Sequence, residues 1–255
     1  MQTKILLKVN GREVPAMPGA RLLDILKNAG YFIPTLCDHP GLLPLGGCRL
    51  CMVEVWEKRR NFLVASCLYP VEKPIEVLTE SPRVQAARRY LLTLLLARHP
   101  QVKAVTDLAT RYGVRANARL ETEPEECVLC LRCVRACAIV GTNAIGTAWR
   151  GREKKVGPPF DEPPEACVGC GACAAVCPTG AIKVEETAEW RRIWGRDFAL
   201  VRCERCGEAF ATEEQLRWAA RELPGSILEE KLCPRCRRGT EAALIGRAFG
   251  PGGPC

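Results

Sequence analysis

No apolar run in this sequence approaches the roughly 18 residues of a membrane span; the longest, around Leu91 to Ala97, is a short piece of one helix. The opening MQTKILLKVNGREV has no apolar region of the signal-peptide kind, so nothing marks the chain for export. There is no G-x-G-x-x-G dinucleotide loop, no Walker loop and no nucleophile paired with a base, which removes self-contained bond chemistry from consideration. Histidine is reduced to two residues, His39 and His99, and Asn and Gln are scarce beside Arg and Pro. A soluble, cytoplasmic protein is the expectation.

Cysteine is abundant by contrast: 17 residues among 255, nearly all in Cys-x-x-Cys pairs. A disulfide scaffold does not fit, because a bridge within one such pair closes too small a loop to staple a fold. Reduced thiolates that bind metal are the remaining explanation. The formal charge of +8 counts every cysteine as neutral. A four-thiolate metal site carries about −2, so about four such sites would offset about 8 positive charges. The basic excess therefore reads as compensation for buried anionic centres and not as a nucleic-acid surface.

Along the chain, KILLKV alternates and is followed by Asn10-Gly11, a two-residue hairpin signal, then by a second strand near Arg12 to Ala16. A helix over Arg21 to Ala29 places Leu22, Leu23, Ile25 and Leu26 on one side and stops at Gly30. The Pro- and Gly-rich loop PTLCDHPGLLPLGGCRLC leads to strands at MVEVW, FLVAS and IEVLT. Together these describe a β-grasp domain over residues 1–80. Residues 81–119 form a helical linker: Ser81 caps a helix with Pro82 at its first position, its apolar face is Val84, Ala87, Leu91 and Leu95 with Arg83, Arg88, Arg89 and Arg98 largely elsewhere, and Pro100 ends it. A weaker helix follows over Lys103 to Tyr112. Residues 120–190 hold an internal repeat, CVLCLRCVRAC and CVGCGACAAVC, separated by TAWRGREKKVGPPFDEPPEA, which reads as an extended surface loop. EWRRIWGRDF reads as a basic aromatic connector to a unit over residues 198–242, and residues 243–255 as a flexible tail ending in Cys255. The predicted class is α+β.

Three constellations carry the chemistry. Cys127, Cys130, Cys133 and Cys137 follow C-x2-C-x2-C-x3-C, and Cys167, Cys170, Cys173 and Cys177 repeat it, with Pro178 after the second set and Ala138 after the first. This spacing wraps three thiolates round one [4Fe–4S] cube and sends the fourth to the other. One cube is thus assigned Cys127, Cys130, Cys133 and Cys177, and the second Cys137, Cys167, Cys170 and Cys173. Cys37, Cys48, Cys51 and Cys67, spaced C-x10-C-x2-C-x15-C round Gly46 and Gly47, suit a [2Fe–2S] centre inside the β-grasp domain, with zinc as the alternative. Cys203, Cys206, Cys233 and Cys236 form two knuckles separated by the helix-like ATEEQLRWAARELP and favour a structural Zn²⁺ in a zinc ribbon, with mononuclear iron as the alternative.

PTLCDHPGLLPLGGCRLCMVEV, continued through LLLARHP, DLATRYGV and the paired cluster motif, resembles a stretch shared by several oxidoreductases. These are the large peripheral-arm subunit of respiratory complex I, the diaphorase iron–sulfur subunits of NAD-reducing and electron-bifurcating hydrogenases or formate dehydrogenases, and [FeFe]-hydrogenases. The resemblance covers roughly residues 1–185, and chain length favours the small hydrogenase or formate dehydrogenase type. It implies an iron–sulfur relay between a flavin/NAD(P)H-binding diaphorase subunit and a catalytic subunit, with soluble ferredoxin as a branch. In those relatives the helix-ending histidine is followed by cysteines at +4, +7 and +13 that bind one more cube. Here those positions are Lys103, Thr106 and Tyr112, so His99 is expected to be an ordinary residue at a helix stop. Two rivals are an autonomous ferredoxin-like carrier and a redox-sensing nucleic-acid-binding regulator built on the ribbon.

Overall fold

The computed structural model describes residues 4–120, 122–222 and 231–239, and the chain divides into two compact units. One comprises residues 1–136 with 176–181, the other 137–175 with 182–255.

In the first unit β1 (Ile5–Val9) and β2 (Arg12–Ala16) form an antiparallel hairpin whose turn residues Asn10 and Gly11 have φ of 47° and 84°. Two positive φ angles match the right-handed strand twist, which is why Asn-Gly is favoured there. After β3 (Ala20–Arg21) comes α1 (Leu22–Asn28), too short to persist alone, and held by burial of Leu22, Leu23, Ile25 and Leu26. Then follow β4 (Met52–Glu57), β5 (Arg60–Ala65), β6 (Pro70–Val71) and β7 (Glu76–Leu78). The sheet order is β2-β1-β7-β4-β5, with β1 and β7 parallel and the other neighbours antiparallel. Leu7, Val9, Val53, Val55 and Val77 join the α1 side chains in one core, and this is the β-grasp arrangement read from the sequence.

Helix α2 (Pro82–Arg98) starts as expected: Ser81 Oγ accepts from the Val84 N–H, and Pro82 occupies the first turn. Its buried face differs from the expected one. Val84, Arg88, Leu92, Leu96 and Ala97 are buried, and Leu91 and Leu95 only partly. Arg88 goes inward because every direction it faces offers an acceptor: its guanidinium donates to the Leu50 and Met52 carbonyls, to Glu80 and to the Tyr112 hydroxyl. A buried cation is tolerated when so completely partnered. Helix α3 (Lys103–Arg111) ends before Gly113, whose φ is 64°.

Helix α4 (Arg132–Val140) contains the residue at which the chain passes between units. In the second unit β8 (Gly146–Ala148) and β9 (Lys155–Gly157) pair as a hairpin inside the segment expected to be an extended loop. Helix α5 (Ala172–Ala175) is a single turn. β10 (Val184–Glu186), β11 (Trp190–Ile193), β12 (Arg196–Arg202) and β13 (Ala209–Thr212) make a four-stranded antiparallel sheet. EWRRIWGRDF is thus no connector but the β11–β12 hairpin, turning at Trp194 and Gly195 with φ of 55° and 74°. Helix α6 (Glu213–Glu222) occupies the stretch read as helix-like. Residues 223–230 and 240–242 of the expected ribbon and the expected tail with Cys255 lie outside the described residues. No described helix is long and apolar enough to cross a membrane.

Candidate metal centres

Cys37, Cys51 and Cys67 are each about 1% exposed, and Cys48 is half-buried. Cys37 lies on the loop after α1, Cys51 immediately precedes β4 and Cys67 sits in the short turn after β5. N–H groups converge on the sulfurs: the Leu36 N–H donates to Cys48 Sγ at 3.4 Å, and those of Gly47 and Cys48 favour the Cys37 thiolate. Hydrogen bonding from the Cys48 thiol pulls Cys37 down to about 5, and the Cys67 thiol pulls Cys51 down to about 6. Their partners are pushed up in turn. Buried sulfurs that stabilise one another only as thiol–thiolate pairs suit a cation that neutralises all four. Gly46 is required for space as well as for its φ of +69°, since a Cβ there would lie 2.3 Å from the Leu68 side chain. Arg88 grips the carbonyls on both sides of Cys51, Leu50 at 3.1 Å and Met52 at 2.9 Å.

The two repeats are divided between the units in an informative way. Cys127, Cys130 and Cys133 belong to the first unit together with Cys177, and Cys167, Cys170 and Cys173 to the second together with Cys137. Electrostatic contact follows the same partition: Cys177 acts on Cys127, Cys130 and Cys133, and Cys137 acts on Cys167. Burial raises the thiols of Cys127, Cys130, Cys133, Cys167 and Cys173, Cys133 to about 12 and Cys173 to about 11, so their thiolates need a metal's charge. Cys137 Sγ receives the Ala144 N–H at 3.2 Å and lies 3.2 Å from the Thr142 hydroxyl.

Each set also has a buried N–H without a hydrogen-bonded partner. Arg132 Nε lies in the helix that carries Cys133, and the charge of Arg132 favours the Cys130 thiolate. Trp194 Nε1 faces the Cys173 sulfur without closing a bond, and it too favours the thiolate. Donors left idle against bare thiols are what an added inorganic sulfide or fully ionised thiolate would use. The cysteines present therefore fit iron–sulfur centres.

Sequence reasoning missed how the second set is held. From the β11–β12 hairpin Arg196 Nη1 donates to the carbonyls of Pro164, Glu165 and Cys167 at 2.6, 2.8 and 3.0 Å, and Arg191 Nη1 to that of Gly169 at 2.9 Å. Phe198, fully buried, lies where a Cβ on Gly169 would fall 2.5 Å away. The period-2 alternation round Trp194-Gly195 was the available signal.

The Sγ atoms of Cys203, Cys206, Cys233 and Cys236 all lie within 4.8 Å of one another, with Cys206 and Cys233 at 3.8 Å. Tetrahedral Zn–S bonds of about 2.3 Å place sulfurs about 3.8 Å apart, so the set suits one mononuclear ion. Backbone N–H groups of Cys233, Cys206 and Arg205 pull Cys203 down to about 6.

His99 is 4% exposed and ends α2; its Nδ1 lies 2.7 Å from the Glu125 carbonyl, and burial lowers its pKa. Glu125 donates its N–H to the Arg98 carbonyl, and its carboxylate accepts from the Arg98 guanidinium. The histidine is thus a buried strut between the end of α2 and the segment leading to Cys127, and no cysteine is grouped with it in a metal-binding set among the described residues.

Residues 2–82 match the 2Fe-2S iron-sulfur cluster binding domain, and residues 126–181 and 166–212 each match the 4Fe-4S dicluster domain. The NADP-reducing hydrogenase subunit HndD of Solidesulfovibrio fructosivorans is 34% identical over 217 residues, which cover 72% of this chain and 36% of that protein. The chain is a homologue of subunits of NAD(P)-linked hydrogenase and Fe(3+) oxidoreductase complexes. A second relative, the NADPH-Fe(3+) oxidoreductase subunit alpha of Geobacter sulfurreducens, is 31% identical over 201 residues, 69% of this chain and 24% of that one. The chain thus spans about a third or less of the length of these two relatives. Among solved structures, a chain of an NAD+-reducing [NiFe]-hydrogenase in the H2-reduced state aligns with a TM-score of 0.60 at 26% identity, over 69% of this chain and 86% of that one. The resemblance to hydrogenase-type subunits and the α+β iron–sulfur fold are borne out.

Proposed function

We propose that the chain is an electron-transfer subunit of a cytoplasmic, multisubunit NAD(P)-linked oxidoreductase. It relays single electrons between a flavin/NAD(P)H-binding diaphorase subunit and a catalytic subunit of hydrogenase or formate dehydrogenase type, with soluble ferredoxin as a branch. One [2Fe–2S] centre on Cys37, Cys48, Cys51 and Cys67 and two [4Fe–4S] centres, on Cys127, Cys130, Cys133 and Cys177 and on Cys137, Cys167, Cys170 and Cys173, would supply one-electron storage. The residues themselves hold, screen and bias those charges. Cys203, Cys206, Cys233 and Cys236 would hold a structural Zn²⁺ that stiffens the C-terminal ribbon.

The observation that carries this reading is the partition of the repeated cysteines, in which each fourth thiol keeps company with the other repeat's first three. Interleaved sets would tie two centres into one relay. Anaerobic affinity isolation from the native host tests the assignment. A flavoprotein subunit is expected to copurify, and NAD(P)H should reduce the iron–sulfur signals of the complex but not of the separated chain. Isolation as a monomer that no flavoprotein accompanies would favour the autonomous carrier, and salt-sensitive binding to nucleic acid would favour the regulator.

A further inference from the structure

Arg132 and Arg135, on the helix that presents Cys133, both reach the loop of the [2Fe–2S] set. Arg132 Nη2 donates to the Asp38 carbonyl at 2.5 Å. Arg135 Nη2 donates to the carbonyl of Cys37 itself at 2.5 Å, Nη1 to that of Leu43, and Nε to Leu131 on its own chain segment at 3.2 Å. All of these residues lie within the first compact unit. The loop from Cys37 to Cys48 contains no helix or strand, so its carbonyls depend on such donors.

The repeat supplies a built-in control. Aligned on its cysteines, CVGCGACAAVC has Ala172 where CVLCLRCVRAC has Arg132, and Ala175 where it has Arg135. A motif of this spacing therefore has no need of cations at these two places. The reason for them is the neighbouring loop.

We infer that Arg132 and Arg135 are positioning residues that brace the [2Fe–2S] loop against the first [4Fe–4S] set and stabilise the reduced forms of those two centres in preference to the third. This role rests on the cluster assignment proposed above. Reduction adds a negative charge to either centre, and a guanidinium that cannot lose its proton, held beside the ligands of both, lowers the cost. Arg135 leans toward Cys37 and Arg132 toward Cys130, so each biases one member of the pair more strongly. The bonded route from Cys133 through Arg135 to the Cys37 carbonyl also gives an electron a continuous path between the two sets.

The test is an EPR-monitored redox titration of the full chain, prepared anaerobically, with iron counted in every sample. Arg135→Gln should keep its iron and shift the [2Fe–2S] equilibrium about tenfold toward the oxidised form, which is about 59 mV for one electron. Arg132→Gln should shift the first [4Fe–4S] centre more than the [2Fe–2S] centre, and the centre on Cys137, Cys167, Cys170 and Cys173 should move least in both. Arg135→Lys keeps the charge but not the fork, so it should retain full iron and a potential near the parent's. Unchanged potentials in both Gln variants, or an equal shift of all three centres, would overturn the proposal. So would a Lys variant that loses its cluster, because the role would then be structural alone. A parent protein without the [2Fe–2S] signal would instead refute the cluster assignment, before any variant is compared.

Discussion

The second cysteine of CVLCLRCVRAC is flanked by Leu129 and Leu131, and that of CVGCGACAAVC by Gly169 and Gly171, yet all four residues adopt positive φ, at 51°, 57°, 67° and 73°. The left-handed backbone is therefore a demand of the wrap round three thiols and not a habit of glycine. Leucine meets it at a cost of roughly 1–2 kcal/mol per residue. What the glycines add is room: Phe198 packs where a side chain on residue 169 would be, while the first repeat needs no such space. The outer surroundings diverge further. The first repeat is bound by arginines on its own helix, reaching outward to Cys37, Asp38 and Leu43. The second has alanines there and is held from outside by Arg191 and Arg196 of a hairpin that follows it, with the Trp194 N–H turned toward Cys173. One duplicated motif has thus been tied into two different neighbourhoods, which is how two centres of like chemistry can be given different potentials.

Exchange of the fourth ligands breaks the comparison most severely. Cys177→Ser should empty or degrade the set made by the first repeat, and Cys137→Ser that of the second, each losing up to about four of about ten irons. Iron analysis with EPR of the reduced protein reads this directly; loss of the sequence-adjacent centre in either case would contradict the crossover. Next come the glycines. Gly171→Ala meets nothing nearer than Arg191 at 3.6 Å and should cost only the backbone penalty, about 1–2 kcal/mol. Gly169→Ala must also displace Phe198 and should cost about 1–3 kcal/mol more, seen as a lower unfolding midpoint. Trp194→Phe removes a single N–H near Cys173 and should shift the second [4Fe–4S] equilibrium toward the oxidised form by about 1 kcal/mol, about fivefold, without moving the first.

The smallest effect concerns pH, and it should be confined to the side of the first repeat. Burial lowers the His99 pKa below 6.5, so the unfolded chain takes up the proton first. Its contribution to stability is full above about pH 6.5 and falls as pH drops through that value toward the folded pKa. Thermal unfolding measured from about pH 8 to 5.5 should show this decline, and His99→Gln should flatten it.

Local chemistry was legible in the residues: the Asn10-Gly11 turn, the Ser81-Pro82 helix start, α1 with its four buried apolar side chains, and the cysteine spacings all depend on near neighbours. His99 as a helix stop was legible for the same reason, although its bond to Glu125 was not. What escaped depends on distant partners. Arg88 reads as a surface residue on any helical wheel and is buried only because two loop carbonyls, a glutamate and a tyrosine meet it. EWRRIWGRDF reads as a linker by composition, because its charges mask a period-2 pattern that the sheet then uses. Arg132 and Arg135 lay in plain view inside the motif, and comparison with Ala172 and Ala175 was the clue to them.

We propose that three electron-carrying centres and one structural metal share this chain. Metal analysis of anaerobically purified protein, combined with EPR during stepwise reduction, tests it most directly. About ten irons, about one zinc and three separately reducible centres are expected. Four further irons would contradict the reading of His99, and fewer than three reducible centres in fully loaded protein would contradict the relay itself.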